Sequence, residues 1–176
     1  MCLSNHGLKL RDAIRRRGDN RGAVAVEFAL IAPIFLLMIV MTFELGLVLL
    51  TQSALDNAAQ NAARLILTGQ AQTGGGAAAF KSQLCADVGI LIPCASLQYN
   101  VQAANSFSAL NGTVTTDASG NMTGGQFSPG TPGQSVLVQV GYNRTYITGW
   151  VGSILGGGHN SSLLLSTVAF QNEPYQ

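Results

Sequence analysis

The chain is short of charge. Asp, Glu, Lys and Arg make up 10 % of its 176 residues, against roughly 25 % in an ordinary soluble domain. Histidine is scarcer still, with only His6 and His159. Beyond residue 50 the acids are Asp56, Asp87, Asp117 and Glu173, scattered singly. These shortages remove the usual parts of a catalytic site: paired carboxylates, a nucleophile elbow and a metal-ligand cluster. Ser153 and His159 are close in sequence, but no third group completes a triad. Gly74-Gly75-Gly76 has no Lys-Ser/Thr directly after it and no preceding strand, so it does not read as a phosphate cradle. His159 stands alone in a Gly-rich turn, which makes metal binding a poor reading. There are no internal repeats. The expectation is a chain that is not an enzyme, with no cofactor and no metal.

The charge that is present is unevenly placed. Six of the nine basic residues, Lys9, Arg11, Arg15, Arg16, Arg17 and Arg21, precede residue 22, against only Asp12 and Asp19. A basic arm can serve nucleic acid. Here an apolar run follows it directly, which favours a cytoplasmic arm ahead of a membrane helix and no nucleic-acid partner.

The sixteen residues Phe28 to Phe43 carry no charge, and Ala23 to Leu50 is broken only by Glu27 and Glu44. Twenty-eight helical residues span about 42 Å, enough for a hydrocarbon core roughly 30 Å thick with both acids near the headgroups. Pro33 removes one backbone hydrogen bond and should bend or loosen this helix, which membrane helices tolerate. A secretory signal peptide would have a shorter apolar stretch and a small-residue cleavage site after it. The long run, the carboxylate at its head and the lack of a clean A-x-A site argue against one.

The junction Arg21-Gly22-Ala23-Val24-Ala25-Val26-Glu27-Phe28 is the informative stretch. An acid at the head of an apolar helix is costly and reads as functional by default. Were the chain cut after Gly22, Ala23 would gain an ammonium group with a pKa near ~7.7–8.0 that Glu27 could pair with. A Glu27 merely solvated at the interface near Arg21 is the plainer alternative.

The run RGAVAVEFALIAPIFLLM resembles the class III signal of type IV pilin-like proteins, most of all the TadE-like family of the tight-adherence (Tad, or Flp) pilus system. Glu44-Leu45-Gly46, Asn57-Ala58-Ala59 and Ala63-Arg64 continue the likeness, and Asn172-Glu173-Pro174-Tyr175 resembles the family's ending. The resemblance implies cleavage by a prepilin peptidase between Gly22 and Ala23, with Glu27 as the acid at mature position five and Pro33 where the family often has proline. It further implies a minor pilin or pseudopilin of the bacterial inner membrane, with other pilins, inner-membrane platform proteins and membrane lipid as partners. An unprocessed single-pass anchor carrying a periplasmic binding domain, or a permanent scaffold of a secretion platform, remains the alternative.

Downstream, Leu55, Ala58, Ala59, Ala62, Ala63 and Ile66 recur at helical spacing, with Gly69 as a stop. This stripe suits either the protein's own sheet or a second helix. A short helix over 77–87 and strands over 97–102, 136–142 and 162–171 follow, with 104–134 as a long loop or irregular hairpin region. The expected fold is α+β and pilin-like, a long helix against a few-stranded antiparallel sheet. The expected organisation is a basic leader (1–22), a transmembrane helix (23–50), a helical stalk (51–69) and an extracytoplasmic domain (70–176). Cys2 lies in the leader. Cys85 and Cys94 should form a disulfide in an oxidising compartment, with two buried thiols as the alternative. Four Asn-x-Ser/Thr sequons, at Asn111, Asn121, Asn143 and Asn160, fit a polar exported surface.

Overall fold

The structure, a computed structural model, describes residues 20–72, 75–156 and 159–174, with side chains from residue 22 onward. The basic leader up to residue 19, with Cys2, and the side chain of Arg21 lie outside the described residues, as does Tyr175. The chain divides into two compact units, one ending at Phe43 and one running from Glu44 to Gln176.

The first unit contains the N-terminal part of helix α1 (Asn20–Leu67). Most of its large side chains between Val24 and Phe43 are exposed, Phe28, Leu30, Ile31, Ile34 and Phe35 among them, and Val40 and Met41 are half-buried. Leaving one such side chain in water rather than burying it costs about 1.5–3 kcal/mol. A run of this size therefore requires lipid or another protein around it. The segment is long and apolar enough to cross a bilayer. Helical structure continues through Pro33, where the ring denies the carbonyl of Ala29 its usual partner.

In the second unit, α1 continues to Leu67 and ends where Gly69 takes φ 80°, a left-handed conformation that glycine adopts without penalty. Helix α2 (Gly76–Asp87) follows, then strand β1 (Leu97–Ala104). A hairpin of two short strands comes next, β2 (Thr115–Thr116) and β3 (Met122–Thr123). The long strand β4 (Ser135–Thr145), helix α3 (Gly149–Leu155) and strand β5 (Ser161–Gln171) complete the unit. The main sheet is antiparallel in the order β1-β4-β5, with Val101 opposite Val138 and Val138 opposite Val168. This is the expected α+β arrangement of a long apolar helix and a small antiparallel sheet.

The alanine stripe packs into the protein's own core. Leu55, Ala58, Ala59, Ala62, Ala63 and Ile66 are buried in one cluster with Phe80 and Leu84 of α2, Val101 of β1, and Val136, Val138 and Val140 of β4. Small side chains let the α1 backbone approach the sheet closely. Phe80 anchors the cluster, its ring 5.3 Å from Tyr99 and 5.5 Å from Phe127.

The irregular region was expected over 104–134; Ala104 instead closes β1, and residues 105–134 cover the other face of the sheet. Strand β4 is buried on both faces from Ser135 to Gly141, so its inward-facing polar groups need partners. Gln139 donates to the Gly112 carbonyl at 2.9 Å and accepts from Asn100 Nδ2 at 3.2 Å. The segment also guards the outer edge of β1. Val101 N–H donates to Gln126 O (2.8 Å), and Ser128 N–H donates to Val101 O (3.0 Å).

The Cys85–Cys94 disulfide joins the last turn of α2 to the short 3₁₀ turn before β1, with the two Cα atoms 5.1 Å apart. At the other end of the unit, Asn172 is buried and donates from Nδ2 to the carbonyls of Pro129 (2.9 Å) and Thr131 (3.2 Å). Glu173 N–H donates to Leu67 O at 3.2 Å, tying the chain's end to the end of α1.

Candidate functional site

The residues singled out at the head of α1 lie together on one exposed turn-and-a-half of helix. Gly22, Ala23 and Glu27 are all exposed. Among the described residues Glu27 makes no hydrogen bond or ion pair. A β-carbon placed on Gly22 would meet nothing within 4 Å. Neither the helical backbone nor local packing therefore calls for glycine here, and glycine within a helix costs about 0.5–1 kcal/mol relative to alanine.

A second polar group sits where α1 enters the sheet unit. Glu44 is only 3 % exposed. Its Oε1 accepts the backbone N–H of Ile147 at 2.7 Å. Read from the sequence as an acid at the far edge of the apolar run and as part of the family likeness, it gains a partner 103 residues away that no local pattern could indicate. Two turns on, Arg144 at the end of β4 donates from Nη1 to Thr51 Oγ1 (2.9 Å), and Thr51 donates to Leu47 O (2.7 Å). Gln52 Nε2 donates to Leu165 O of β5 (3.1 Å) and to Asp56 Oδ1 (3.0 Å). These bonds fix α1 to β4, to β5 and to the segment leading into α3.

Helix α3 is the element the sequence reading missed. Trp150, Val151, Ile154 and Leu155 have helical spacing, but Gly149 and Gly152 dilute the signal. Gly152 sits against its neighbours: a β-carbon there would displace the Asn160 side-chain amide and press on Tyr146 Cβ.

The residues that might have suggested catalysis are used structurally or left apart. Ser153 donates its hydroxyl to Trp150 O at 2.9 Å within its own helix. His159 is exposed and lines an open cleft of about 270 Å³ with Asp117, Asn143 and Ser161. Asp117 is committed to a turn. It accepts from Asn121 N–H (2.8 Å), Asn121 Nδ2 (3.1 Å) and Ser119 N–H (2.8 Å). The hydrogen bonds from Asn121, backbone first, hold its carboxyl below the usual range for aspartate. Among the described residues no group of three or more His, Cys, Asp or Glu could hold a metal ion.

Residues 22–64 match the family model of TadE-like proteins. The match opens at Gly22, contains Glu27, Pro33 and Glu44, and stops short of α2. The three-stranded sheet thus lies outside the TadE-like segment. No curated protein and no solved structure matches the chain.

Proposed function

We propose that this chain is a pilin-like structural protein of a Tad-type pilus system, made as a precursor and cut between Gly22 and Ala23 by a prepilin peptidase. The observation that carries the reading is the TadE-like match, whose N-terminal half is an apolar run that the other described residues leave largely exposed. Its role is assembly rather than catalysis. The basic leader faces the cytoplasm, and the sheet unit lies on the far side of the inner membrane. The Cys85–Cys94 bond suits that compartment.

Gly22 and Glu27 carry the processing and assembly steps in this reading. Since Gly22 has no packing role, its identity is explained by the peptidase, which needs an unhindered backbone at the scissile bond. Glu27, the fifth residue of the mature chain, is suited to pair with an ammonium group on Ala23, its own or a neighbouring subunit's. Gly22→Leu leaves the apolar run intact, so it is expected to insert in the membrane and stay uncut. Normal maturation of that variant contradicts the assigned site. Glu27→Leu is expected to insert and to lower the yield of sheared surface fibre, and an unchanged yield makes the acid incidental. A matured protein that never leaves the membrane fraction would instead place it in the assembly platform.

A further inference from the structure

We propose that the segment Ile147–Leu155 is a second membrane contact, lying in the outer interface of the bilayer beside the point where α1 emerges. The proposal rests on the reading of α1 as a membrane anchor.

The depth of Glu44 comes first. Sixteen uncharged residues separate it from Glu27, which is about 24 Å of helix. A hydrocarbon core is roughly 30 Å thick. With Glu27 at one headgroup level, Glu44 falls about one turn short of the other. A carboxylate at that depth needs a partner from the protein, and it has one in Ile147 N–H at 2.7 Å. Ile147 is thereby held at the same depth. Past Glu44, α1 goes on with Leu45 and Leu49 uncovered by the sheet.

The chemistry of the segment fits that position. Ile147 is 74 % exposed, Trp150 47 % and Ile154 63 %. Trp150 and Ile154, four residues apart, share the outer face of α3, while Val151 is fully buried on the inner face. From Thr145 to Asn172 there is no Asp, Glu, Lys or Arg, so no fixed charge opposes entry into the interface. Tryptophan is the residue type favoured at headgroup level, where its ring is apolar and its N–H stays hydrated. An apolar patch tethered one residue beyond the anchor's uncharged run meets lipid before it meets any soluble partner.

Trp150 is the only tryptophan in the chain, which makes its fluorescence a direct probe. The full chain is reconstituted in phosphatidylcholine–phosphatidylglycerol vesicles carrying bromine at either the carbonyl end or the methyl end of the acyl chains. The expected result is blue-shifted emission, quenched more by the shallow bromines than by the deep ones. In Ile147→Ser/Ile154→Ser, with both side chains exposed and no core contact changed, quenching should fall while the protein still floats with the vesicles. Unquenched emission from protein that floats overturns the proposal. Emission that responds to the protein-to-lipid ratio but not to bromine also overturns it, assigning the patch to a second copy of the chain. Failure to float defeats the anchor reading itself, and this inference with it.

Discussion

Removing the disulfide is the perturbation whose size the structure fixes best. Cys85 and Cys94 are nine positions apart, so the bond closes a loop of about ten residues, worth about 2.5–3 kcal/mol by the loop-entropy relation. The native segment between them has other anchors. Val88 and Ile92 are buried in the core, while Ile90 and Leu91 point outward. The folded loop should therefore keep its place when the bond is cut, and the loss should come chiefly from a freer unfolded chain. For a unit the size of Glu44–Gln176, that free energy corresponds to a fall of about 8–14 °C in the melting midpoint. The assay is thermal unfolding of the detergent-solubilised chain by circular dichroism. It would compare oxidised protein, reduced protein and Cys85→Ala/Cys94→Ala. Reduced protein and the double variant should melt together, well below the oxidised form. Coincident melting of all three refutes the reasoning. Thiol titration after denaturation adds a second reading: one free thiol before removal of the leader, from Cys2, and none after it.

Four further outcomes follow from named contacts. Glu44→Ala strands the Ile147 N–H and should cost about 1–3 kcal/mol in urea titration, whereas Glu44→Gln keeps an acceptor and should cost less; equal losses would show that the Ile147 bond is not what matters. Phe80→Ala removes the ring that joins α2 to Tyr99 and Phe127 and should cost about 3–5 kcal/mol, read from the same titration. Gly152→Ala should destabilise by about 1–3 kcal/mol because the new methyl group meets Asn160 and Tyr146. Finally, Asp117 has a lowered folded pKa, so its turn is stabilised above the ordinary aspartate range. That contribution is lost as pH falls through the lowered value, and an NMR titration of its carboxyl carbon should place the midpoint below that of an unstructured aspartate.

The parts legible in the sequence were those with a strong period. Alanines and aliphatics at three- and four-residue spacing marked α1 as far as Gly69, and the valines of β4 marked a strand. The stripe left a choice between the protein's own sheet and a foreign helix. The structure resolves it in favour of the sheet, because every member of the stripe is covered by α2, β1 and β4. What stayed hidden depends on contacts between distant positions. Nothing near Glu44 points to Ile147, and nothing in the polar run 105–134 reveals that Gly112 and Gln126 satisfy groups on β4 and β1. Helix α3 escaped because two glycines in seven residues mask its spacing, one of them packed against the Asn160 side chain. At the head of α1 the opposite holds. Among the described residues Gly22 and Glu27 make no contact that the fold needs, so the role proposed for them rests on the pattern Gly–x4–Glu ahead of an apolar run and not on the fold.

The central claim is that this chain is a precursor matured at the head of its apolar helix. Intact mass and N-terminal sequencing of the membrane-extracted protein, produced with and without a cognate prepilin peptidase, test it most directly. The account predicts a peptidase-dependent start at Ala23 with α1 retained in the mature protein. A start at Met1 in both samples would contradict it.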